Sequence, residues 1–162
     1  MTDKPSFLQL EALRELLLVA PFHRWLGLDI VAVTADGLIL EMPWRDEIVS
    51  NPMIGSAHGG ILSALIDLTG LYAINALGGS ARATADMRVD FHRPATAGPL
   101  RAIGRVVKLG KQLSVAETRI EDPDGRLLAS GRGGLCRLAA DCCWRPRRSW
   151  RSPPAFRCQK PA

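Results

Sequence analysis

The feature that most constrains this chain is a long apolar segment with a single charge inside it. Residues 61–77 carry mostly aliphatic and small side chains, and Asp67 is their only ionisable acid or base apart from the weakly acidic Tyr72. A helix that is apolar on all sides is expected to be buried. A buried carboxylate without a partner is costly, on the order of several kcal/mol. Some compensating role for Asp67 is therefore expected, and a catalytic role is the leading candidate.

Two structural explanations compete with that role. The segment is nearly long enough for a membrane span, but spans usually need ~20 apolar residues. No second span would shelter Asp67 and Asn75 from lipid. Alternatively, Asp67 is a structural carboxylate satisfied by a backbone group or an arginine. The residues that precede the helix favour the functional explanation.

A His-Gly-Gly triplet stands where the apolar helix is expected to begin. Gly59 and Gly60 have no side chains, so a ligand can approach their backbone closely. At a helix start, we expect both N–H groups to lack intrahelical partners and to point outward. Such groups suit a developing oxyanion. Ser56 is the expected N-cap, with His58 at the edge of the turn.

The spacing of Gly59 and Asp67 limits how they act together. Eight residues of α-helix span roughly 12 Å, so one reacting carbonyl group cannot contact both residues of the same helix. The second group must then come from another copy of the helix, running antiparallel across a two-fold axis. The spacing therefore predicts an obligate dimer with two composite sites.

Periodicity and turn signals predict one α+β domain. The predicted elements are a helix over 6–19 capped by Ser6, a turn or short helix over 21–27, a hairpin of 29–34 and 38–44, a loop over 46–57, the apolar helix to Leu77, and strands over 85–91, 100–109, 113–120 and 127–138. Tight turns favour antiparallel pairing, with the last four strands as a meander. An apolar helix needs a sheet curled around it. The prediction is a curved antiparallel sheet around a long central helix, with an N-terminal helix in 1–20, the main domain in 21–138 and a tail in 139–162.

The net charge of +5 lies entirely in the tail. Residues 1–136 contain 14 basic and 15 acidic residues, whereas residues 137–162 contain seven basic residues against Asp141 alone. The domain itself therefore shows no nucleic-acid footprint, and no nucleic-acid partner is expected. The composition of the tail predicts disorder. A tail that binds RNA or an anionic membrane, or an end read in another frame, are the open alternatives.

The cysteines and the N-terminus exclude further classes. Three of the four cysteines lie in the tail, and together with Cys136 they match no zinc spacing, so neither a metal site nor a disulfide framework is expected. The apolar run at 16–20 is too short for the core of a signal peptide. A cytoplasmic protein without a membrane span is therefore expected.

Four blocks of sequence, in order on the predicted elements, carry a resemblance to a known family. They are residues 21–27, residues 51–60 followed by Asp67, residues 91–95 and residues 125–131. On these blocks the chain resembles a hotdog-fold acyl-CoA thioesterase of the phenylacetate-pathway (PaaI-like) branch of the 4-hydroxybenzoyl-CoA thioesterase superfamily. The resemblance covers about residues 21–138 and implies a hotdog fold.

The resemblance implies roles for five residues around the helix. Gly59 would donate its N–H to the thioester oxygen, and Gly60 would allow close approach. Asp67 of the partner subunit would activate water or attack the carbonyl carbon. His58 and Asn51 would position the thioester or the water, although Asn51 lies seven residues before His58, where the family usually has six.

The resemblance also implies a coenzyme A contact region. The turn that includes Lys108, Gly110, Lys111 and Gln112 matches the region that contacts the phosphates and pantetheine, and Thr84 falls beside the helix site. Coulomb attraction would favour lysines near phosphates, but solvated turn lysines explain the same pattern equally well. No cofactor is implied, and a homodimer or a dimer of dimers is expected.

Three functions remain open on sequence. The first is hydrolysis of an aryl or short-to-medium acyl-CoA to free acid and coenzyme A. The second is a non-catalytic acyl-CoA-binding or regulatory protein, and the third is another hotdog enzyme such as a dehydratase. No Gly-x-Ser-x-Gly motif occurs, so a serine triad is not supported. Asp67 favours the first function, because a binding protein has no need of a buried carboxylate.

Overall fold

The computed structural model describes residues 7–96 and 98–137, so the predicted cap Ser6 and the tail 139–162 lie outside the described residues. The helices are α1 (Phe7–Val19), α2 (Pro21–Leu26) and α3 (Gly59–Ala76), with a 3₁₀ turn at Asp46–Ile48. The strands are β1 (Asp29–Val33), β2 (Gly37–Met42), β3 (Val49–Asn51), β4 (Ser56–Ala57), β5 (Ala83–Phe91), β6 (Leu100–Lys108), β7 (Leu113–Glu121) and β8 (Leu127–Cys136).

The short helix α2 has its limits set by two residues. Pro21 opens it, where a missing N–H costs nothing because that group would have no partner in the helix. Gly27 ends it with φ of 69°, a left-handed conformation that glycine adopts without strain. The sequence predicts a turn or a short helix over residues 21–27, and the structure has the short helix.

Six strands form one antiparallel sheet in the order β1-β2-β6-β7-β8-β5. The predicted hairpin is present as β1 and β2, and β6 to β8 form the predicted meander. The prediction that β5 is the first strand of the meander, next to β6, was wrong, because β5 pairs with β8 at the far edge of the sheet. The reason is that α3 carries the chain across the sheet from β2 before β5 begins. Strand β5 also starts at Ala83, two residues earlier than predicted, and β2 stops at Met42.

Helix α3 packs on the sheet through one of its faces. Its buried residues include Leu62, Leu65, Ile66, Thr69 and Ala73, which meet the inner side of the strands. By length and composition this helix would pass for a membrane span, but half of it is buried against the rest of the described chain. That packing is the environment of a core helix. The antiparallel sheet around a central helix confirms the predicted hotdog fold.

The segment before α3 is more ordered than predicted. Residues 46–57 were expected to be a loop, but they contain the 3₁₀ turn and the two-stranded sheet β3-β4. Two main-chain hydrogen bonds tie this segment down: Ala57 N–H donates to Ala95 O at 2.8 Å, and His58 N–H donates to Ile48 O at 2.7 Å. The chain therefore enters α3 from a fixed direction.

Candidate active site

The N-cap of α3 is His58, and not Ser56 as predicted. His58 has extended backbone angles (φ −64°, ψ 131°), and its Nδ1 accepts a hydrogen bond from Gly60 N–H at 2.8 Å. Ser56 belongs to β4, where it is buried and pairs with Asn51. The strand keeps Ser56 three residues before Gly59, the first residue of the helix, so the last non-helical residue is His58.

This cap changes the role expected for the two glycines. A Cβ added at Gly60 would lie 2.8 Å from His58 Nδ1, so glycine here makes room for the imidazole ring. The expectation that both N–H groups point free of partners is corrected, because Gly60 N–H is bonded to that ring. In the described chain, Gly59 N–H has no hydrogen-bond acceptor and remains available.

An open cleft of about 330 Å³ borders Gly59. Its lining is mostly apolar: Ala57, Leu62, Phe91, Pro94 and Ala95, with Ser56, His92 and Arg93 at the polar side. The Phe91 ring lies so close that a Cβ at residue 59 would be 3.3 Å from two of its carbons.

Two polar side chains of this cleft, His92 and Arg93, belong to the block 91–95 that carries the family resemblance, but no role was predicted for them. His92 Nε2 lies 2.8 Å from Ser130 Oγ, and Arg93 donates to Leu127 O at 3.0 Å. The signal that could have found them was their place in that block, at the end of a predicted strand.

Asp67 is half-buried and has a partner in the chain. Its Oδ1 accepts a short hydrogen bond from the hydroxyl of Thr84. The expectation of a buried, unpaired carboxylate is therefore corrected for the single chain. Asp67 lies on the same helix face as Gly60, Ala64 and Leu71, and none of these four residues is fully buried. These four residues define the open stripe of α3, which borders the edge strand β5 through the bond from Thr84 to Asp67.

One chain does not bring Gly59 and Asp67 together. Helix α3 is continuous between them, so they are roughly 12 Å apart along its axis. Gly59 lies beside Phe91, the last residue of β5, whereas Asp67 bonds to Thr84 near its first residue.

The turn between β6 and β7 lies at the same end of the sheet as Asp67. Thr84 pairs with Leu135, and Leu135 pairs with Ser114 just after the turn. Gly110 N–H donates to Ser114 Oγ at 3.1 Å, and Gln112 O accepts from Arg137 N–H at 3.2 Å. Lys108 and Lys111 are exposed and form no ion pair with any described residue.

Asn51 uses its side chain locally. Its Oδ1 accepts from Met53 N–H at 3.1 Å, which closes the turn between β3 and β4. Within the described chain it makes no hydrogen bond to His58, Gly59 or Asp67. The tip of this turn is apolar and exposed, with Met53 89% and Ile54 54% accessible.

A larger groove of about 550 Å³ lies on the outer face of the sheet, away from α3. Its charged side chains form exposed ion pairs, among them Arg105–Asp36 at 3.0 Å and Arg88–Asp90 at 3.1 Å. Exposed pairs of this kind contribute little. Across residues 7–96 and 98–137, no three His, Cys, Asp or Glu side chains are grouped so that they could hold a metal ion.

Comparisons with known proteins agree with this fold. The family model described as Thioesterase superfamily matches residues 54–129. The X-ray structure of a protein from the thioesterase superfamily is 42% identical, covers 80% of this chain and 98% of its own, and superposes with a TM-score of 0.76. The E. coli PaaI protein from the phenylacetic acid degradation operon is 28% identical, with coverages of 84% and 97% and a TM-score of 0.74. A thioesterase from Haemophilus influenzae is 25% identical, with coverages of 87% and 99% and a TM-score of 0.72.

An antiparallel sheet wrapped around a central helix, which carries a carboxylate on its open face, defines a hotdog protein. The chain belongs to the thioesterase superfamily and is similar to its PaaI-like members. It is an enzyme that hydrolyses thioesters.

Proposed function

We propose that this enzyme hydrolyses acyl-CoA thioesters with an aryl or short-to-medium acyl group, releasing the free acid and coenzyme A. The observation that carries the proposal is the pair formed by Asp67 and Thr84 on the open stripe of α3, together with the unpartnered N–H of Gly59. The cleft beside Gly59 is mostly apolar and is at the small end of the range for ligand pockets, which suits a compact acyl group.

The proposed chemistry begins at the start of α3. Gly59 N–H donates to the thioester carbonyl oxygen, where negative charge develops as the carbon is attacked. Asp67 of the partner subunit takes a proton from water while the water oxygen attacks the carbon, and collapse of the intermediate breaks the C–S bond. Thr84 donates to Oδ1 of Asp67, which leaves Oδ2 free to accept that proton. Direct attack by the carboxylate, followed by hydrolysis of the anhydride, is the alternative route.

A homodimer would complete the site, and the sheet supports this assembly. Among the described strands, β5 pairs only with β8, so its other edge is open along nine residues. A long unpaired edge is a ready surface for a second strand. Two β5 strands paired antiparallel would set two α3 helices side by side in opposite directions, with Gly59 of one chain opposite Asp67 of the other. A dimer of dimers is the larger assembly we propose to test by mass measurement in solution.

The remaining residues fit the same substrate. The turn carrying Lys108 and Lys111 shares its end of the sheet with Asp67, so the phosphates would lie on the chain that supplies the carboxylate. The main-chain groups of Gly110 and Gln112 hold that turn, because Gly110 N–H donates to Ser114 Oγ and Gln112 O accepts from Arg137 N–H. Asn51 would act through the turn it closes. We further propose a cytoplasmic location, where coenzyme A esters would be met.

The test is a hydrolysis screen combined with a substitution at Asp67. Acetyl, medium-chain, long-chain, benzoyl and phenylacetyl thioesters are tested by free-thiol detection. Asp67→Asn keeps the acceptor for Thr84 but cannot take a proton, so kcat should fall by about 10²–10⁴-fold. The matched control Thr84→Val keeps the carboxylate, so its kcat should fall less than that of Asp67→Asn. An enzyme that hydrolyses none of these esters, or Asp67→Asn turning over at the original rate, would contradict the proposal; binding of acyl-CoA without turnover would indicate the regulatory alternative.

A further inference from the structure

We propose that His58 is a positioning residue, which acts through Gly60 and whose neutral ring carries its proton on Nε2. Its catalytic consequence, a correctly directed Gly59 N–H, rests on the proposed function. The inference itself stands on three hydrogen bonds at the start of α3.

The first step concerns the tautomer of the ring. A backbone N–H can only donate, so Nδ1 of His58, 2.8 Å from Gly60 N, must accept. An accepting nitrogen carries no proton. A neutral imidazole has one proton, which must then be on Nε2. Nε2 has no hydrogen-bond partner in the described chain and is exposed with the rest of the residue.

The second step concerns the direction of the Gly59 N–H. His58 O accepts from Ile61 N–H at 2.9 Å, and His58 N–H donates to Ile48 O at 2.7 Å. In a planar trans peptide, the carbonyl of His58 and the N–H of Gly59 point in opposite directions. Because that carbonyl points into the helix, the Gly59 N–H points out of it. The bond from Gly60 to the ring holds the next peptide in place.

The two glycines therefore have different tasks. Gly60 N–H is occupied by the imidazole, and the missing side chain of Gly60 leaves the space that the ring needs. Gly59 N–H is left as the free amide donor at the helix start. His58 contributes to the reaction by fixing this donor, and its ring need not touch the thioester.

The distinguishing variant is His58→Asn. An asparagine carbonyl caps a helix by accepting from the same amide position, but it has no donor where Nε2 stands. If His58 acts through Gly60, His58→Ala lowers kcat by about tenfold or more with little change in KM. This fall in kcat should be smaller than the fall of about 10²–10³-fold expected for loss of the Gly59 N–H itself. His58→Asn then restores most of that kcat and the thermal midpoint. If His58→Asn proves as slow as His58→Ala although its midpoint is restored, the proposal is overturned.

A second variant guards against failure of His58→Ala to fold. Gly60→Ala keeps the imidazole but puts a Cβ 2.8 Å from Nδ1, so it should reproduce the loss of kcat. Unchanged kcat in Gly60→Ala would count against the inference.

The tautomer is measured without any substrate. In ¹⁵N-labelled protein at mildly alkaline pH, the ring signals of His58 are those that vanish in His58→Asn; the chain has three histidines in all. We expect a non-protonated Nδ1 and a protonated Nε2. A proton on Nδ1 would reject the cap even in an active enzyme. Conversely, an enzyme that hydrolyses no thioester rejects the proposed function, and the spectrum still decides the inference on His58.

Discussion

Two inactive variants of this chain should regain activity when they form a mixed dimer. Gly59→Pro deletes the N–H that we assign to the oxyanion. Proline is tolerated at the first residue of a helix, and His58 already has the backbone angles favoured before proline. The exposed Phe91 ring, 3.3 Å from where a Cβ at residue 59 would lie, can move to admit the proline ring. Asp67→Ala deletes the carboxylate and leaves the N–H in place.

The size of the recovery follows from how the sites are built. Each variant alone should have kcat reduced by about 10²–10³-fold, the usual cost of losing an oxyanion donor, or more for the carboxylate. In a mixed dimer, Gly59 of one chain meets Asp67 of the other at one site, while the second site lacks both groups. Random mixing makes half of the dimers mixed, so the mixture should recover about a quarter of the original activity.

The assay uses two affinity tags and an acyl-CoA that the original enzyme hydrolyses. The variants are produced together, and mixed dimers are isolated by passing both tags in turn. Purified mixed dimers should show about half of the original activity per dimer, because one of two sites is intact. Mixed dimers that are as inactive as either parent would refute a site shared between subunits. That is the result expected if each site lay within one chain, because every chain of a mixed dimer would then lack one of its two groups.

Three further outcomes are expected. Gly104→Ala should destabilise the fold by about 1–3 kcal/mol in urea unfolding, because its Cβ would lie 2.8 Å from Thr69 Cγ2; Gly133→Ala, with no atom nearer than 3.5 Å, is the control and should change little. Burial raises the pKa of Tyr72, so its contribution to stability is complete below pH ~10 and is lost as pH rises through the folded-state value. Unfolding across that range should therefore show a loss of stability that Tyr72→Phe reduces. A chain ending at Leu138 should keep its fold and its hydrolysis, and loss of either would reject a dispensable tail.

The elements governed by a regular pattern were predictable from the sequence. The alternation in residues 85–91 and the apolar run after Gly60 led to β5 and α3, with errors of about two residues at their ends. The neighbours of β5 were not predictable in the same way. Its place beside β8 depends on the path of the chain across the sheet, and periodicity within one strand carries no information about that path.

The helix cap shows why local rules failed at the site. Serine is a better N-cap than histidine, so Ser56 was the natural choice on propensity alone. Pairing with Asn51 places Ser56 in a strand and buries it, and the helix begins later. A tertiary contact thus overrode a local preference. Local rules also could not show that Asp67 pairs with Thr84, since the two residues lie on different elements whose distance depends on the sheet; only the family resemblance placed Thr84 beside the helix site.

The open features of the single chain share one location. One side of the sheet carries all of them: the free edge of β5, the exposed Phe91 at its end, the open stripe of α3 and the Gly59 N–H. An edge strand left bare and an apolar helix left half-covered are both unfavourable in isolation. A second copy would cover both and would carry Asp67 towards Gly59. The surface that needs a partner for stability is therefore the surface that needs a partner for chemistry, and dilution of the enzyme below its dimerisation constant should abolish hydrolysis and lower the thermal midpoint together.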